Sequence, residues 1–219
     1  MHLIKTKRIR IMTKTLKLMV IPAILMAHTP DSFAWEPDVN KLINSSFHSK
    51  IKNFLQNDIV TASVENQNAE HANLDNEDIL ALDKDWRAET KATNQPFVSS
   101  LLNRPLSAYL TRIQAHENGL FSEIFIMDNK GLNVGQSAMS SDYWQGDEAK
   151  WQKTYSKEAG AIFVDEPEFN SGKKVWLAQY NVAVTNGKGQ NIGAATFEVN
   201  LNELARQQGI LKYEEVINE

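Results

Sequence analysis

The chain has 219 residues, no cysteine and a formal net charge of −4, with 23% charged and 42% hydrophobic residues. This composition is typical of one globular domain, or of one domain with a helical extension, and it excludes a disordered, collagen-like or disulfide-stapled chain. The absence of cysteine excludes thiol nucleophiles and thiolate metal sites. The mildly acidic balance disfavours a nucleic-acid partner, because such a partner requires clustered basic residues.

The start of the chain has the pattern of a secretory signal peptide. Residues 1–17 carry six basic residues and no acid, the next ten residues carry no charge, and small residues follow at Ser32 and Ala34. This is the pattern of an exported precursor, whereas ten apolar residues are only about half the length of a membrane-spanning helix. We predict cleavage after Ala34, with Met1 and Met12 both open as the first residue. The product of 185 residues would have a formal net charge of −9 and be soluble and periplasmic or secreted.

Three helical stretches are predicted next. Residues 38–66 place apolar side chains at a spacing of about 3.6 residues, which predicts one long amphipathic helix. A second helix is predicted from a cap at Asn76 to about Lys91. A third helix is predicted over residues 97–117, with Gly119 as its stop.

The pattern then changes to that of strands and turns. Strand-like segments occur at residues 122–127, 132–137, 161–168, 174–185 and 191–200. A loop with a short helix is predicted over 138–158, and a short helix over 201–208. Because successive strands are joined by hairpin turns, the sheet is predicted to be mainly antiparallel. We therefore predict an α+β fold with a five-stranded sheet, a long N-terminal helix and helices packed on one face.

Motifs for catalysis and for metal or phosphate binding are not found. The histidines after residue 34, which are His48, His71 and His116, form no HxxH or HxxxH pair, and the sequence has no nucleophile elbow. Neither the P-loop nor the GxGxxG pattern occurs. We therefore predict no enzyme, no catalytic residue, no cofactor and no metal site.

Carboxylates leave a weaker alternative open. Asp83 is predicted to lie on a solvated helix face in an i,i+4 pair with Arg87. A pair formed by Asp165 with either Asp142 or Asp147 could serve a small exported hydrolase, which is the alternative placed last.

Residues 140–155 are the part of the sequence richest in aromatic and polar side chains. The segment contains Tyr143, Trp144, Trp151 and Tyr155 together with Asp142, Gln145, Asp147 and Glu148. Aromatic rings beside a few polar groups are typical of a small-ligand pocket, and an ammonium group can bind over such a ring. The other interpretation, that the tryptophans cover the sheet as part of the core, is equally open.

The order of these features resembles the Cache (PAS-like) periplasmic sensor domains. The resemblance is carried by SEIFIMDNKGLNVGQ and the aromatic segment after it, by IFVDEPEF and by NIGAATFEVNLNEL. It implies a PAS-like fold and a pocket for a small metabolite between the central sheet and the 138–158 segment. The ligand contacts that it implies by position are Asp142, Tyr143, Trp144, Gln145, Trp151, Asp165 and Gln179.

Two departures from this family shape the prediction. There is no arginine between residues 113 and 205, so a ligand carboxylate lacks a bidentate partner, which favours an amine-like or neutral ligand. No second membrane span or kinase follows, so the module would be free after export and could signal to a membrane receptor or kinase. The alternative function is a ligand-free interaction module that forms a homodimer or docks through its N-terminal helix.

The sequence thus predicts four parts. These are a signal peptide at 1–34, an N-terminal helical region at 35–96, a PAS-like Cache sensor domain at 97–208 and a C-terminal tail at 209–219.

Overall fold

The computed structural model describes residues 35–211. The predicted signal peptide and its cleavage point lie outside the described residues, as does most of the predicted tail. The helices are α1 (Val39–Leu42), α2 (Ser45–Leu55), α3 (Asp58–Glu70), α4 (Asn76–Glu89), α5 (Pro96–Leu102), α6 (Pro105–His116), α7 (Ala149–Gln152) and α8 (Leu201–Gln207). The strands are β1 (Phe121–Met127), β2 (Asn133–Gln136), β3 (Ile162–Val164), β4 (Glu168–Asn170), β5 (Val175–Thr185) and β6 (Asn191–Asn200).

The predicted α+β architecture with an antiparallel sheet is confirmed. The strand order is β2-β1-β6-β5-β3, with every pair antiparallel, and β4 also pairs with β5. The described residues thus form six strands rather than five, because the strand predicted over 161–168 is divided into β3 and β4. Pro167 lies at the division, where a residue without an N–H cannot continue a sheet ladder.

The long helix predicted over 38–66 is divided into α1, α2 and α3. Asn44 caps α2, its side chain accepting from the backbone N–H of Ser46 at 3.0 Å and of Phe47 at 3.1 Å. Asn57 caps α3 in the same way. Asparagine caps helices because its side-chain oxygen satisfies first-turn amides that have no partner within the helix.

The stretch predicted as one helix over 97–117 is also divided, here into α5 and α6. Each of these helices begins at a proline, Pro96 and Pro105. Proline is favoured at the first position of a helix because its missing N–H is not needed there. The helix predicted from Asn76 is confirmed, although its cap is Asp75.

The two faces of the sheet are covered differently. The inner face is the one that packs on α2, α3 and α6, in a core that includes Phe47, Ile51, Leu110, Ile126 and Phe197. The outer face is the opposite one, where Phe125, Met127 and Ala194 pack under the segment that contains α7. Separately, α4 and α5 form a small cluster with residues near β2. Among residues 35–211, no helix is long and apolar enough to cross a membrane.

Candidate ligand-binding site

Strand register places side chains in rows across the outer face. Side chains alternate between the two faces along each strand, and Cα pairing sets which residues of neighbouring strands lie side by side. The central row, from β1 to β3, is Phe125, Thr196, Asn181 and Phe163. The acidic row beside it is Glu123, Glu198, Gln179 and Asp165.

The polar pair in the middle of the central row is fully buried. Thr196 Oγ1 donates a hydrogen bond to Asn181 Oδ1 at 2.8 Å, and Asn181 Nδ2 donates to Asp165 Oδ2 at 3.4 Å. Both Thr196 and Asn181 are 0% exposed. Buried polar groups are favourable only when they are hydrogen-bonded, so this pair is held in a fixed orientation between the phenylalanine rings that flank it.

The acidic row brings carboxylates together without a basic residue in the same row. Glu123 and Glu198 are paired directly across β1 and β6. Burial raises the pKa of Glu123 and the charge of Glu198 raises it further, while Lys150 and Lys173 act in the opposite direction. Glu123 Oε1 is buried and makes no hydrogen bond with any described residue. The row can therefore accept further hydrogen bonds and hold a positive charge.

The segment 138–158 covers part of the outer face and is tied down at two points. The rings of Trp151 and Tyr155 stack with centres 4.9 Å apart and pack on the outer-face residues of β1 and β6. Trp151 Nε1 donates to the carbonyl oxygen of Asp128 at 3.1 Å. Asn191 Nδ2 donates to the carbonyl oxygen of Tyr155 at 2.9 Å. The later part of the segment, residues 149–158, thus forms a roof beside the two rows.

Two lysines of this roof lie over the rings at the ends of the central row. Lys150 Nζ is 5.3 Å from the ring centre of Phe125, and Lys153 Nζ is 4.0 Å from that of Phe163. The face of an aromatic ring attracts a cation because its π electrons carry partial negative charge. The outer face therefore brings rings, a fixed amide and hydroxyl, and carboxylates close together.

Three of the seven predicted site residues belong to this arrangement. Trp151 contributes to the roof, while Gln179 and Asp165 belong to the acidic row. Gln145 lies next to the roof and is buried, with its Oε1 accepting from Lys150 Nζ at 3.3 Å.

The other three predicted residues have contacts elsewhere. Asp142 Oδ1 lies 3.0 Å from Arg87 Nη1. Tyr143 is buried against Trp86, with ring centres 5.6 Å apart, and burial raises the pKa of its hydroxyl. Trp144 Nε1 donates to the carbonyl oxygen of Lys130 at 2.9 Å. The contacts of these three side chains are with α4, with α5 and with the turn after β1, rather than with the central and acidic rows.

Asp83 holds that part of the segment in place, and its predicted solvation is wrong. Its Oδ1 accepts from the backbone N–H of Tyr143 at 2.9 Å and of Trp144 at 3.0 Å, and the residue is only 7% exposed. The predicted pair with Arg87 is present at 2.6 Å. A carboxylate on a helix is thus used to bind the backbone of a distant loop, a contact that helical spacing does not reveal.

Sequence reasoning missed most of the two rows. The residues it did not single out are Glu123, Phe125, Phe163, Asn181, Thr196 and Glu198. One signal was available in β6, where Thr196 and Glu198 alternate with apolar residues. Such alternation indicates a strand with one polar face.

A cavity lies at the edge of the inner face, away from the seven predicted residues. It has a volume of about 910 Å³ and lies between α2, α3, the start of β3 and the end of β5. Its apolar floor includes Ile51 and Val182. His48 Nδ1 and the hydroxyl of Tyr180 lie 2.8 Å apart on its wall. We call this cavity the edge groove.

Within residues 35–211, no group of three histidine, aspartate and glutamate side chains is arranged to hold a metal ion. No protein-family model matches the chain, and no curated protein sequence matches it significantly.

Several solved structures are similar to the chain at low identity. The ligand-binding domain of the Campylobacter jejuni chemoreceptor Tlp3 in complex with 4-methylisoleucine is 16% identical, with a TM-score of 0.35, over 76% of this chain and 66% of that chain. The ligand-binding domain of the Pseudomonas aeruginosa PAO1 amino acid chemoreceptor PctC in complex with GABA is 16% identical, with a TM-score of 0.33, over 77% and 66%. The sensor domain of the V. cholerae histidine kinase DctB is 13% identical, with a TM-score of 0.34, over 77% and 59%. The chain thus spans less than two thirds of the length of each of these structures.

Proposed function

We propose that this chain is an exported, non-catalytic sensory module of the Cache type. It binds a small amine-bearing or neutral metabolite between the outer face of the sheet and the 138–158 segment. The observation that carries the proposal is the acidic row, which lies directly beside the buried Thr196–Asn181 pair.

The acidic row favours a ligand with an ammonium group. Like charges directly opposite each other destabilise a sheet, and Glu123 and Glu198 occupy such a position. An ammonium group between them would offset this repulsion and would donate to Glu123 Oε1, which has no other donor among the described residues.

The buried pair supplies the means to select among ligands. Thr196 and Asn181 are fixed by their mutual hydrogen bond, so only a ligand whose polar groups match them avoids leaving a buried group unpaired. The roof residues Trp151 and Tyr155 would cover the apolar part of the ligand, because aromatic rings supply large contact areas at low entropic cost.

A thermal-shift screen of the purified chain against primary amines, amino acids and neutral metabolites tests the proposal. A ligand present at about 100 times its Kd should add about 2.7 kcal/mol to the free energy of unfolding. Glu198→Gln and Asp165→Asn keep the side-chain shapes and remove negative charge from the acidic row, so each should reduce the shift. Asp142→Asn is the matched control, because Asp142 pairs with Arg87 away from the row. Full shifts in both row variants would contradict this site.

Export is proposed from the sequence pattern. Mass spectrometry of the protein recovered from the periplasm or medium should give a chain that begins at Trp35. An unprocessed chain retained in the cytoplasm would contradict the proposed localisation.

Docking through the N-terminal helices, to a second copy or to a membrane receptor or kinase, is the second candidate. The apolar stripe of these helices is largely buried against the protein's own sheet, since Leu42, Phe47 and Ile51 belong to the inner-face core. Any such contact would therefore have to use other surfaces of α2 and α3. Light scattering distinguishes the candidates, since a ligand-free docking module requires a dimer or a stable complex and a small-ligand sensor does not.

A further inference from the structure

The dipeptide Asn-Gly occurs twice in the chain, at Asn118–Gly119 and at Asn186–Gly187. The first pair joins α6 to β1, and the second joins β5 to β6 beside the edge groove. Asparagine is among the residues that degrade chemically with time. A glycine that follows it leaves the next backbone nitrogen unobstructed, because glycine has no Cβ atom. The two turns therefore present the same chemical groups in two different structural settings.

The side chain of Asn186 is held by three hydrogen bonds within its turn. Its Oδ1 accepts from the backbone N–H of Lys188 and of Gln190, both at 3.0 Å, and its Nδ2 donates to Gln190 Oε1 at 3.1 Å. The backbone is held as well, since Asn186 N donates to Gln190 O and Gly189 N donates to Asn186 O, each at 2.9 Å. A rotation of this side chain toward the nitrogen of Gly187 would separate it from these partners.

The side chain of Asn118 is less restrained. Asn118 and Gly119 are both exposed, and within residues 35–211 the Asn118 side chain makes no hydrogen bond. The backbone has φ values of 51° and 88° at these two residues, and the turn is closed by a hydrogen bond from Leu120 N to Glu117 O at 3.0 Å. A Cβ atom on Gly119 would have no neighbour within 4 Å, so the space around this glycine is open. The asparagine side chain can thus approach the glycine nitrogen while breaking at most the hydrogen bond that closes the turn.

We propose that Asn118 deamidates spontaneously in the folded protein, giving aspartate and isoaspartate, whereas Asn186 is protected by its hydrogen bonds. The nitrogen of Gly119 loses its proton to hydroxide and forms a bond to Asn118 Cγ. The Cγ–Nδ2 bond breaks, Nδ2 takes a proton from water and leaves as ammonia, and a cyclic succinimide remains. Water then opens the ring. Attack at Cγ restores the normal backbone with an aspartate, and attack at the backbone carbonyl carbon leaves an isoaspartate.

The hydrogen bonds of the two turns set the expected difference in rate. Asn186 has to break three side-chain hydrogen bonds before the ring closes, and Asn118 has to break at most the bond that closes its turn. For bonds of ordinary net strength, each additional one slows the reaction by about twofold to tenfold, so Asn118 should react at least about tenfold faster. In the unfolded chain these bonds are absent, and the two asparagines should react at similar rates.

Peptide mapping of the purified chain after incubation at mildly alkaline pH measures both rates in one sample. The two sites fall in separate tryptic peptides, residues 113–130 and 175–188, and fragment spectra assign the modified asparagine. We expect modification of Asn118 to be at least about tenfold faster than that of Asn186 in the folded protein, and the difference to disappear in guanidinium chloride. Equal rates in the folded protein, faster reaction at Asn186, or an Asn118 that reacts only after unfolding would overturn the proposal.

Isoaspartate at position 118 would lengthen the backbone by one carbon in a turn whose surroundings are fixed. Leu120 and Phe121, which follow the turn, are 0% and 2% exposed. On the other side, Glu117 Oε2 pairs with Lys50 Nζ of α2 at 2.6 Å. Residues 117–119 therefore have to absorb the extra atom, which disturbs this ion pair and the hydrogen bond that closes the turn. An aspartate keeps the normal backbone and, like asparagine, tolerates a positive φ, so the isoaspartyl form alone should be destabilised.

The freshly purified variant Asn118→Asp is the matched control for this effect, because it carries the new charge without the extra backbone carbon. Aged protein is enriched in the isoaspartyl form by chromatography, and peptide mapping measures its isoaspartate content. We expect its urea midpoint to lie below the midpoints of the unmodified chain and of Asn118→Asp, which should agree closely. A variant midpoint as low as that of the isoaspartyl form, or three equal midpoints, would overturn the inferred effect on the turn.

Discussion

At the scale of single residues, Gly193 shows how closely two strands approach. A Cβ atom at this position would lie 2.1 Å from the carbonyl oxygen of Met127, which is backbone and cannot rotate away. We expect Gly193→Ala to lower the free energy of unfolding by about 1–3 kcal/mol or more, as overpacking does. Gly187→Ala is the control, since a Cβ there has no neighbour within 4 Å. Urea denaturation measures both, and equal midpoints would contradict this contact.

Glu123 gives a residue-scale prediction about pH. Its pKa is raised above the ordinary value of 4.5 by burial and by Glu198. Since its folded pKa exceeds its unfolded pKa, its ionisation reduces stability as pH rises through the interval between the two values and at all higher pH. Glu123→Gln should therefore stabilise the protein at pH 7, by on the order of 1 kcal/mol. The gain should disappear as pH falls below about 4.5, and a gain that persists there in urea titrations would point to a cause other than charge.

At the scale of elements, Asp128 connects the turn after β1 to α3 and to the roof. Its Oδ1 accepts from the N–H groups of Lys130 and Leu132, at 2.8 and 2.9 Å. Its Oδ2 lies 3.0 Å from both Gln67 Nε2 and His71 Nδ1. The carboxylate is fully buried, so every one of these contacts is shielded from water.

Removing this carboxylate should loosen α3 and the turn after β1 directly. It should loosen the roof through that turn, because Trp151 Nε1 donates to the backbone carbonyl oxygen of Asp128. We expect Asp128→Ala to cost about 3–5 kcal/mol, because several buried donors lose their acceptor together. The last turn of α3 and the roof around Trp151 should lose hydrogen-exchange protection in the same variant. Asp147→Ala is the control, because Asp147 is an exposed residue of the 138–158 segment. A cost below about 1 kcal/mol would mean that water replaces the carboxylate at little expense.

The elements also show where sequence reasoning succeeds and fails. The hairpin turn at 128–131 was predictable, because Gly131 has the positive φ of 83° that glycine favours. The break at Asn57 was not, because the apolar face continues across it and the cap depends on one side chain. The pairing of Thr196 with Asn181 could not be predicted from the sequence either, for a different reason. Which residues of β6 and β5 lie side by side depends on register, a property of two distant segments rather than of either one.

At the scale of the whole molecule, the two faces of the sheet are covered by unequal amounts of apolar packing. The inner face packs on three helices through a large continuous core. The outer-face cluster is small, with Phe125, Met127 and Ala194 buried under the two aromatic rings of the roof. Because local opening requires less free energy where fewer apolar contacts are lost, the roof should be the part that opens for a ligand to enter.

Native-state hydrogen exchange checks this difference across the molecule. The amides of residues 149–158 should exchange through a local opening that depends little on low concentrations of urea, because that opening exposes little new surface. The amides in the middle of β5 and β6 should exchange only through global unfolding, with a strong dependence on urea. A bound amine should slow the first group without requiring any change in fold, since it adds contacts between the roof and the acidic row. If both groups exchanged with the same urea dependence, the roof would be part of the cooperative core, and a ligand would have to enter by another route.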